Sequence, residues 1–99
     1  MILNITDVKI RTVYPDGRLQ ALVSVTLNGE FAIHDIKVIS GEERFFIAMP
    51  SRRDSKGEFH DICHPIHAAA RQELENAVLA AYREYLDNRK TILQDPRSA

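Results

Sequence analysis

Three cationic side chains lie close together in the middle of the chain, at Arg52, Arg53 and Lys56, and only Asp54 offsets their charge. Arginine guanidinium groups match phosphate oxygens geometrically and can bind them through two parallel hydrogen bonds. Arg71 would add a fourth cation if this segment packs beside the start of the following helix. These residue types are compatible with a face that binds phosphate or nucleic acid. The alternative is a solvated hairpin tip whose arginines hold the turn or pair with nearby acidic side chains.

A second group with potential chemistry comprises His60, Cys63, His64 and His67. Histidine and cysteine are the preferred zinc ligands, and a cysteine with a neighbouring histidine base can act as a nucleophile. Successive residues of a strand point to opposite faces, however, and Pro65 then turns the chain. The spacing therefore does not bring these groups together. We predict no metal site, no catalytic residue and no cofactor, and we expect a protein that is not an enzyme.

The bulk composition indicates one small domain that is not strongly basic. The chain has 99 residues, 44% of them hydrophobic and 27% charged, with a net charge of −1. A dedicated nucleic-acid-binding protein usually has a clear positive excess, but affinity for phosphate depends on where the cations cluster. A domain of this size has a modest core and often gains burial by pairing with a second copy. A homodimer is therefore expected.

The compartment is predicted to be the cytoplasm. The single cysteine, Cys63, excludes an intramolecular disulfide, and no apolar run approaches the ~18–20 residues that span a bilayer. The first residues also lack the basic region and the cleavage signature of an export signal. We expect no membrane insertion.

Alternation of apolar and polar residues predicts an antiparallel meander of about five strands within residues 3–63. The strands are expected at 5–14, 19–27, 31–39, 45–49 and 58–63, with 51–57 as a charged loop and Asn28-Gly29 as a tight type I′ turn. The third strand is apolar on both faces, which favours a cover on each, the helix and a partner subunit. Phe45, Phe46 and Phe59 are assigned to the core and not to stacking platforms.

The pattern changes to helical spacing near Ile66. Leu74, Val78 and Tyr82 belong to an apolar stripe, and Glu75 is assigned to the opposite, polar side. A helix is predicted from about Ile66 or Ala68 to Asn88, followed by a frayed or disordered tail at 89–99. The chain is thus predicted to be a single α+β domain, residues 1–88, with a sheet followed by one long amphipathic helix.

Several blocks in order resemble the stage V sporulation protein G family. They are Met49-Pro50-Ser51-Arg52-Arg53, Gly57-Glu58-Phe59, Asp61-Ile62, His64-Pro65-Ile66, and, outside this segment, Thr6-Asp7-Val8, Asp16-Gly17-Arg18, His34-Asp35-Ile36 and Ala77-Val78-Leu79. The resemblance implies a small dimeric bacterial protein with a sheet and a long helix. It also implies a DNA-binding, and in some members RNA-binding, regulator linked to septum formation, cell division and sporulation, without enzymatic activity. Its cationic positions fall on Arg52, Arg53 and Arg71.

Two classes of function remain open from the sequence. The leading one is a homodimer that binds DNA, and RNA as a second ligand, through Arg52, Arg53, Lys56 and Arg71. The alternative is a regulator of division that binds a protein of the division machinery and no nucleic acid. The near-neutral charge and the acidic Glu73 near the helix start favour the alternative.

Overall fold

A computed structural model describes residues 4–14 and 16–94, with the backbone alone for 89–94. Four antiparallel strands form one sheet in the order β1-β2-β3-β4: β1 (Ile5–Val13), β2 (Leu19–Leu27), β3 (Phe31–Ser40) and β4 (Phe45–Ala48). A separate hairpin pairs β5 (Ser51–Arg53) with β6 (Phe59–Asp61), and a single helix, α1 (Ala68–Gln94), follows. The predicted α+β class, a meander followed by one helix, is confirmed.

The strands divide differently from the predicted meander of five. Met49 and Pro50 belong to no strand, so the main sheet ends there. Proline cannot donate a hydrogen bond to a sheet, which explains the break. The first three residues of the predicted charged loop form β5, and the result is six strands in two sheets.

The predicted turn at Asn28-Gly29 is present. Both residues have positive φ, 59° and 65°, as a type I′ turn requires. Asparagine and glycine tolerate this conformation at little steric cost. The turn fixes the register of the β2–β3 hairpin, in which Leu27 pairs with Phe31.

A β-bulge explains why β3 carries apolar residues on both predicted faces. Between two regular stretches of pairing, Ser24 of β2 faces two residues of β3, His34 and Asp35. Asp35 has a φ of 65°, in the left-handed region. The extra residue reverses the alternation of faces. Residues on both sides of the bulge therefore pack in the same core, as Ile33, Ile36 and Val38 do. The apolar residues on both predicted faces of β3 are thus explained without a second layer packed against the opposite face of the sheet.

The core lies between one face of the four-stranded sheet and α1, which contacts β1 and β4. Its buried apolar side chains come from three strands, the segment after β4 and the helix: Ala21, Val23, Val25, Ile36, Val38, Ile47, Met49, Leu74, Val78, Leu79 and Tyr82. The helix stripe predicted from spacing is thus confirmed at Leu74, Val78 and Tyr82. Glu75, predicted on the polar side, is instead only 5% exposed.

Helix α1 begins at Ala68, one of the two predicted starts, and ends at Gln94 instead of Asn88. Residues 89–94, predicted to belong to a frayed tail, are helical, and their sequence contains no proline or glycine that would end a helix. Residues 95–99 of the predicted tail lie outside the described residues, as do residues 1–3 and Pro15. Within the described part, α1 is not apolar enough to cross a membrane.

Candidate nucleic-acid interface

The β5–β6 hairpin presents the predicted cationic residues on a short two-stranded ribbon. Its pairs are Ser51 with Asp61, Arg52 with His60, and Arg53 with Phe59. The hydrogen bond from Ile62 N to the carbonyl of Pro50, 2.8 Å long, closes the base of the ribbon. At the tip, Asp54 N donates to the carbonyl of Glu58 at 2.8 Å, and Gly57 supplies a φ of 85°. The turn therefore has a defined backbone conformation.

The Asp54 carboxylate organises this turn. Its Oδ1 accepts hydrogen bonds from the backbone N–H groups of Lys56 (2.8 Å) and Glu58 (2.9 Å), and its Oδ2 lies 2.7 Å from Nε2 of His60. The pKa of Asp54 is lowered, most strongly by the hydrogen bond from the N–H of Glu58 and next by the hydrogen bond with the His60 side chain. The negative charge of Asp54 is thus stabilised within the hairpin by three donors.

Arg52, Arg53 and Lys56 are all exposed. Neither of the two ion pairs found among the described side chains uses any of these three cations. The guanidinium carbon of Arg53 lies 5.8 Å from the ring centroid of Phe59, a cation–π distance. The structure therefore places three of the four predicted contact residues on one hairpin, with exposed side chains. Arg52 and Arg53 are successive residues of β5, so their side chains leave opposite faces of the ribbon.

Phe59 is not a core residue, contrary to the sequence prediction. Its side chain is 70% exposed, because β6 pairs only with β5 and lies outside the main sheet. Phe45 does pack against the core, with its ring edge-on to Tyr82 at a centroid distance of 5.7 Å. Phe46 is half-buried. The hairpin therefore carries an exposed aromatic ring next to its cations.

Arg71, the fourth predicted contact residue, is partly used by the fold. Its Nη2 donates to the carbonyl of Ile47 at 3.1 Å, which ties the first turns of α1 to β4. The side chain also lines an open depression with residues of the hairpin and of the segment after it: Phe59, His60, Asp61, His64 and Pro65. Arg71 thus lies beside the hairpin, as predicted, but part of its hydrogen-bonding capacity positions β4.

The buried carboxylate of Glu75 completes this link between β4 and α1. Its Oε1 accepts from Nη1 of Arg44 at 2.9 Å, and its Oε2 accepts from the N–H of Ile47 at 3.2 Å. Burial on its own would raise the pKa of Glu75. The hydrogen bonds from Arg44 and Ile47, and the charges of Arg44 and Arg71, outweigh burial, and the net pKa lies below its usual value.

The amino-acid sequence matches the protein-family model described as SpoVG over residues 3–84. The chain belongs to the SpoVG family. A relative from Listeria monocytogenes serotype 4b is 55% identical over 80 residues, covering 81% of this chain and 78% of the relative. Relatives from Desulforudis audaxviator (54% over 80 residues, 81% and 91% covered) and Agathobacter rectalis (48% over 86 residues, 87% and 99% covered) are similarly close. All three carry the name "Putative septation protein SpoVG", the first with the numeral 1.

The SpoVG match includes the whole hairpin and Arg71. It also includes Arg44 and Glu75, which sequence reasoning missed as a pair because the helical pattern placed Glu75 on the polar side. One signal was available: Glu75 is four residues before Leu79 and seven before Tyr82, and both of these are buried. Side chains at this spacing share one face of a helix.

The histidines and the cysteine of this SpoVG chain do not come together as a metal-ligand set. Within residues 4–14 and 16–94, the one group of three potential ligand atoms close enough to share an ion comprises Asp54, Glu58 and His60. Cys63, half-buried, lines an apolar groove instead, and His64 Nδ1 lies 3.1 Å from the carbonyl oxygen of Pro65.

Proposed function

We propose that this SpoVG chain is a cytoplasmic homodimer that binds nucleic acid, DNA and also RNA, through the β5–β6 hairpin, and that it acts by binding and not by catalysis. The observation that carries the proposal is the exposure of Arg52, Arg53 and Lys56 on one ordered ribbon, with no ion pair among the described side chains neutralising them. Phosphate contacts of this kind provide most of the sequence-independent affinity for nucleic acid. Arg71, beside the hairpin, would reach the same ligand.

The local charge balance supports phosphate contact despite the near-neutral chain. Residues 51–61 contain three cations and three acidic residues, so their formal charge sums to zero with His60 neutral. The carboxylate of Asp54, however, is held by the N–H groups of Lys56 and Glu58 and by His60. Because these donors already stabilise the charge of Asp54, the exposed charges of the hairpin are three cations against two acids, Glu58 and Asp61.

Exposed apolar side chains support the homodimer. Phe31, Ile62 and Ile66 are 66%, 68% and 79% exposed. Ile62 and Ile66 are next in the chain to Cys63 and Pro65, and Phe31 pairs with Leu27. These three neighbours belong to an apolar groove lined by Leu27, Ile33, Met49, Cys63, His64, Pro65 and Leu74. Burying such a surface against a second copy would stabilise a domain whose own core is small. Light scattering should give a dimer mass, and Phe31→Ser with Ile66→Ser should shift it toward the monomer.

Binding measurements with matched variants test the proposal. Arg52→Ala with Arg53→Ala should weaken binding to both a DNA duplex and an RNA of unrelated sequence by about tenfold or more, since phosphate is present in every sequence. The control is Arg11→Ala with Arg83→Ala, which removes two other exposed arginines, on β1 and α1. Equal binding by the wild type and the hairpin variant would contradict the proposal.

The second candidate function is a protein-binding regulator of septation without nucleic-acid contact. It is favoured by the septation name of the relatives and by the exposed acidic residues Glu58 and Asp61 on the same hairpin. A nuclease-treated lysate distinguishes the two: recovery of a division protein, with no retained nucleic acid and no affinity for added DNA, would support this alternative.

A further inference from the structure

The open depression beside the hairpin has the features of a nucleobase site. Its volume is about 510 Å³, and it is lined by Phe59, His60, Asp61, His64, Pro65 and Arg71. We propose that this depression accepts one unpaired base, stacked on the ring of Phe59, and that the chain therefore prefers single-stranded nucleic acid to duplex. This inference rests on the proposed nucleic-acid binding and specifies its substrate class.

The exposure of Phe59 is the first observation that supports a base site. A large aromatic side chain that is 70% exposed leaves most of its apolar surface in water. A nucleobase offers a flat π face to such a ring, and stacking of this kind tolerates any base. Phe59 lies on a ribbon, where pairing with Arg53 fixes its backbone position. The fold thus holds the ring of Phe59 at the protein surface.

The neighbouring charges suit the rest of a nucleotide. Arg53, directly opposite on β5, places its guanidinium over one face of the ring, 5.8 Å from the centroid, so a base would stack on the other face. From there the guanidinium could pair with the phosphate of the stacked nucleotide. Arg71 also lines the depression, while one N–H group of its guanidinium is held by the carbonyl of Ile47. Its remaining N–H groups and the carboxylate of Asp61 provide donors and acceptors for base edges.

The strand preference follows from access to the face of the base. In a duplex, each base is covered on both faces by its neighbours, and an enzyme or binding protein must flip it out at an energetic cost. A single strand exposes its bases without that cost. Stacking on Phe59 therefore contributes to the binding of single strands and contributes little to duplex binding.

Substitutions at Phe59 test the site, because loss of stacking should lower affinity without changing its dependence on salt, whereas loss of a phosphate contact changes both. Phe59→Ala and Phe59→Leu should each weaken binding of a single-stranded oligothymidylate by about tenfold, while Phe59→Tyr should retain it. Stacking releases no counterions, so the dependence of affinity on salt should keep the wild-type slope in all three variants. Wild-type affinity in Phe59→Ala, or equal binding by Phe59→Leu and Phe59→Tyr, would overturn the inference.

A fluorescence measurement makes the test independent of affinity. The chain contains no tryptophan, so Phe59→Trp introduces a single indole at an exposed position, and its emission can be excited selectively over that of the three tyrosines. A stacked base should quench this emission on saturation with the oligothymidylate and leave it unchanged with a duplex. Binding itself is measured by the fluorescence anisotropy of an end-labelled oligothymidylate. If the anisotropy shows saturation and the tryptophan emission is not quenched, the base site is overturned. If Arg52→Ala with Arg53→Ala still weakens binding in that case, the proposed function stands without it; if neither position matters, both fail.

Discussion

The Nη1 atom of Arg44 lies 2.9 Å from Oε1 of Glu75, and this ion pair joins the turn before β4 to helix α1. The Glu75 side chain is 7% exposed and that of Arg44 is 67% exposed, so the pair spans from the core to the surface. The second Glu75 oxygen holds the N–H of Ile47. Since β4 leads directly into the hairpin, this link positions the base of the proposed interface.

Replacement of Glu75 should destabilise the fold. Glu75→Ala removes the acceptor of a buried backbone N–H and the partner of Arg44, and the free energy of unfolding should fall by about 1–3 kcal/mol. Urea unfolding followed by circular dichroism measures the decrease. The matched control is Glu84→Ala, at an exposed position on the same helix, which should change stability by less than about 0.5 kcal/mol. Equal stability of the two variants would show that the ion pair contributes nothing.

Glu75 should also make stability depend on pH in the acid range. The folded-state pKa of Glu75 lies below the ordinary value of 4.5. The unfolded state therefore binds a proton first as pH falls, so the contribution of Glu75 is present above about pH 4.5 and is lost as pH falls through the folded pKa. Urea unfolding at about pH 7 and about pH 3 should show a smaller acid-induced decrease of stability in Glu75→Gln than in the wild type. An identical decrease in both proteins would contradict this assignment.

The turn of the hairpin should depend on Asp54. Asp54→Ala removes the acceptor of two backbone N–H groups, and local opening of the hairpin should become easier while global stability stays close to that of the wild type. Hydrogen exchange followed by NMR should show faster exchange at Lys56 and Glu58. The control is Asp61→Ala, an exposed acid on the same hairpin. Faster exchange in the control alone would refute the role of Asp54.

The bulge in β3 makes a distinct prediction at Asp35. Its φ of 65° is tolerated by aspartate and strongly disfavoured for β-branched residues. Asp35→Val should therefore lower the unfolding free energy by about 1–2 kcal/mol, whereas Asp35→Gly should leave it within about 0.5–1 kcal/mol of the wild type. Thermal or urea unfolding of the two variants decides between them. A valine variant as stable as the glycine variant would mean that the left-handed conformation is not required.

Features fixed by neighbouring residues could be predicted from the sequence. The turn at Asn28-Gly29 follows from the backbone preferences of two residues, and the alternation in β2 follows from its position at the centre of a sheet with one buried face. The helix stripe through Leu74, Val78 and Tyr82 follows from 3.6-residue spacing alone. The candidate cations Arg52 and Arg53 are adjacent in the sequence, so their presence on one short segment needs no knowledge of the fold.

Features fixed by distant partners could not be predicted in this way. The bulge opposite Ser24 depends on register between two strands, which neither strand specifies alone. Glu75 resembles a surface residue until Arg44 and Ile47, about thirty positions earlier, are placed against it. Phe59 resembles a core residue because nothing in a strand pattern shows that β6 lies outside the main sheet.

Salt dependence of affinity tests the central claim most directly. The equilibrium constant for a DNA duplex should be measured over a range of salt concentrations for the wild type and for Arg52→Ala with Arg53→Ala. Removing one phosphate contact lowers the slope of log K against log salt by about 0.9, so the variant should have a slope shallower by about 1.8 for each subunit that touches the DNA. The assignment of the hairpin as the nucleic-acid interface would be contradicted if the hairpin variant kept the wild-type slope and the control variant, Arg11→Ala with Arg83→Ala, had a shallower one.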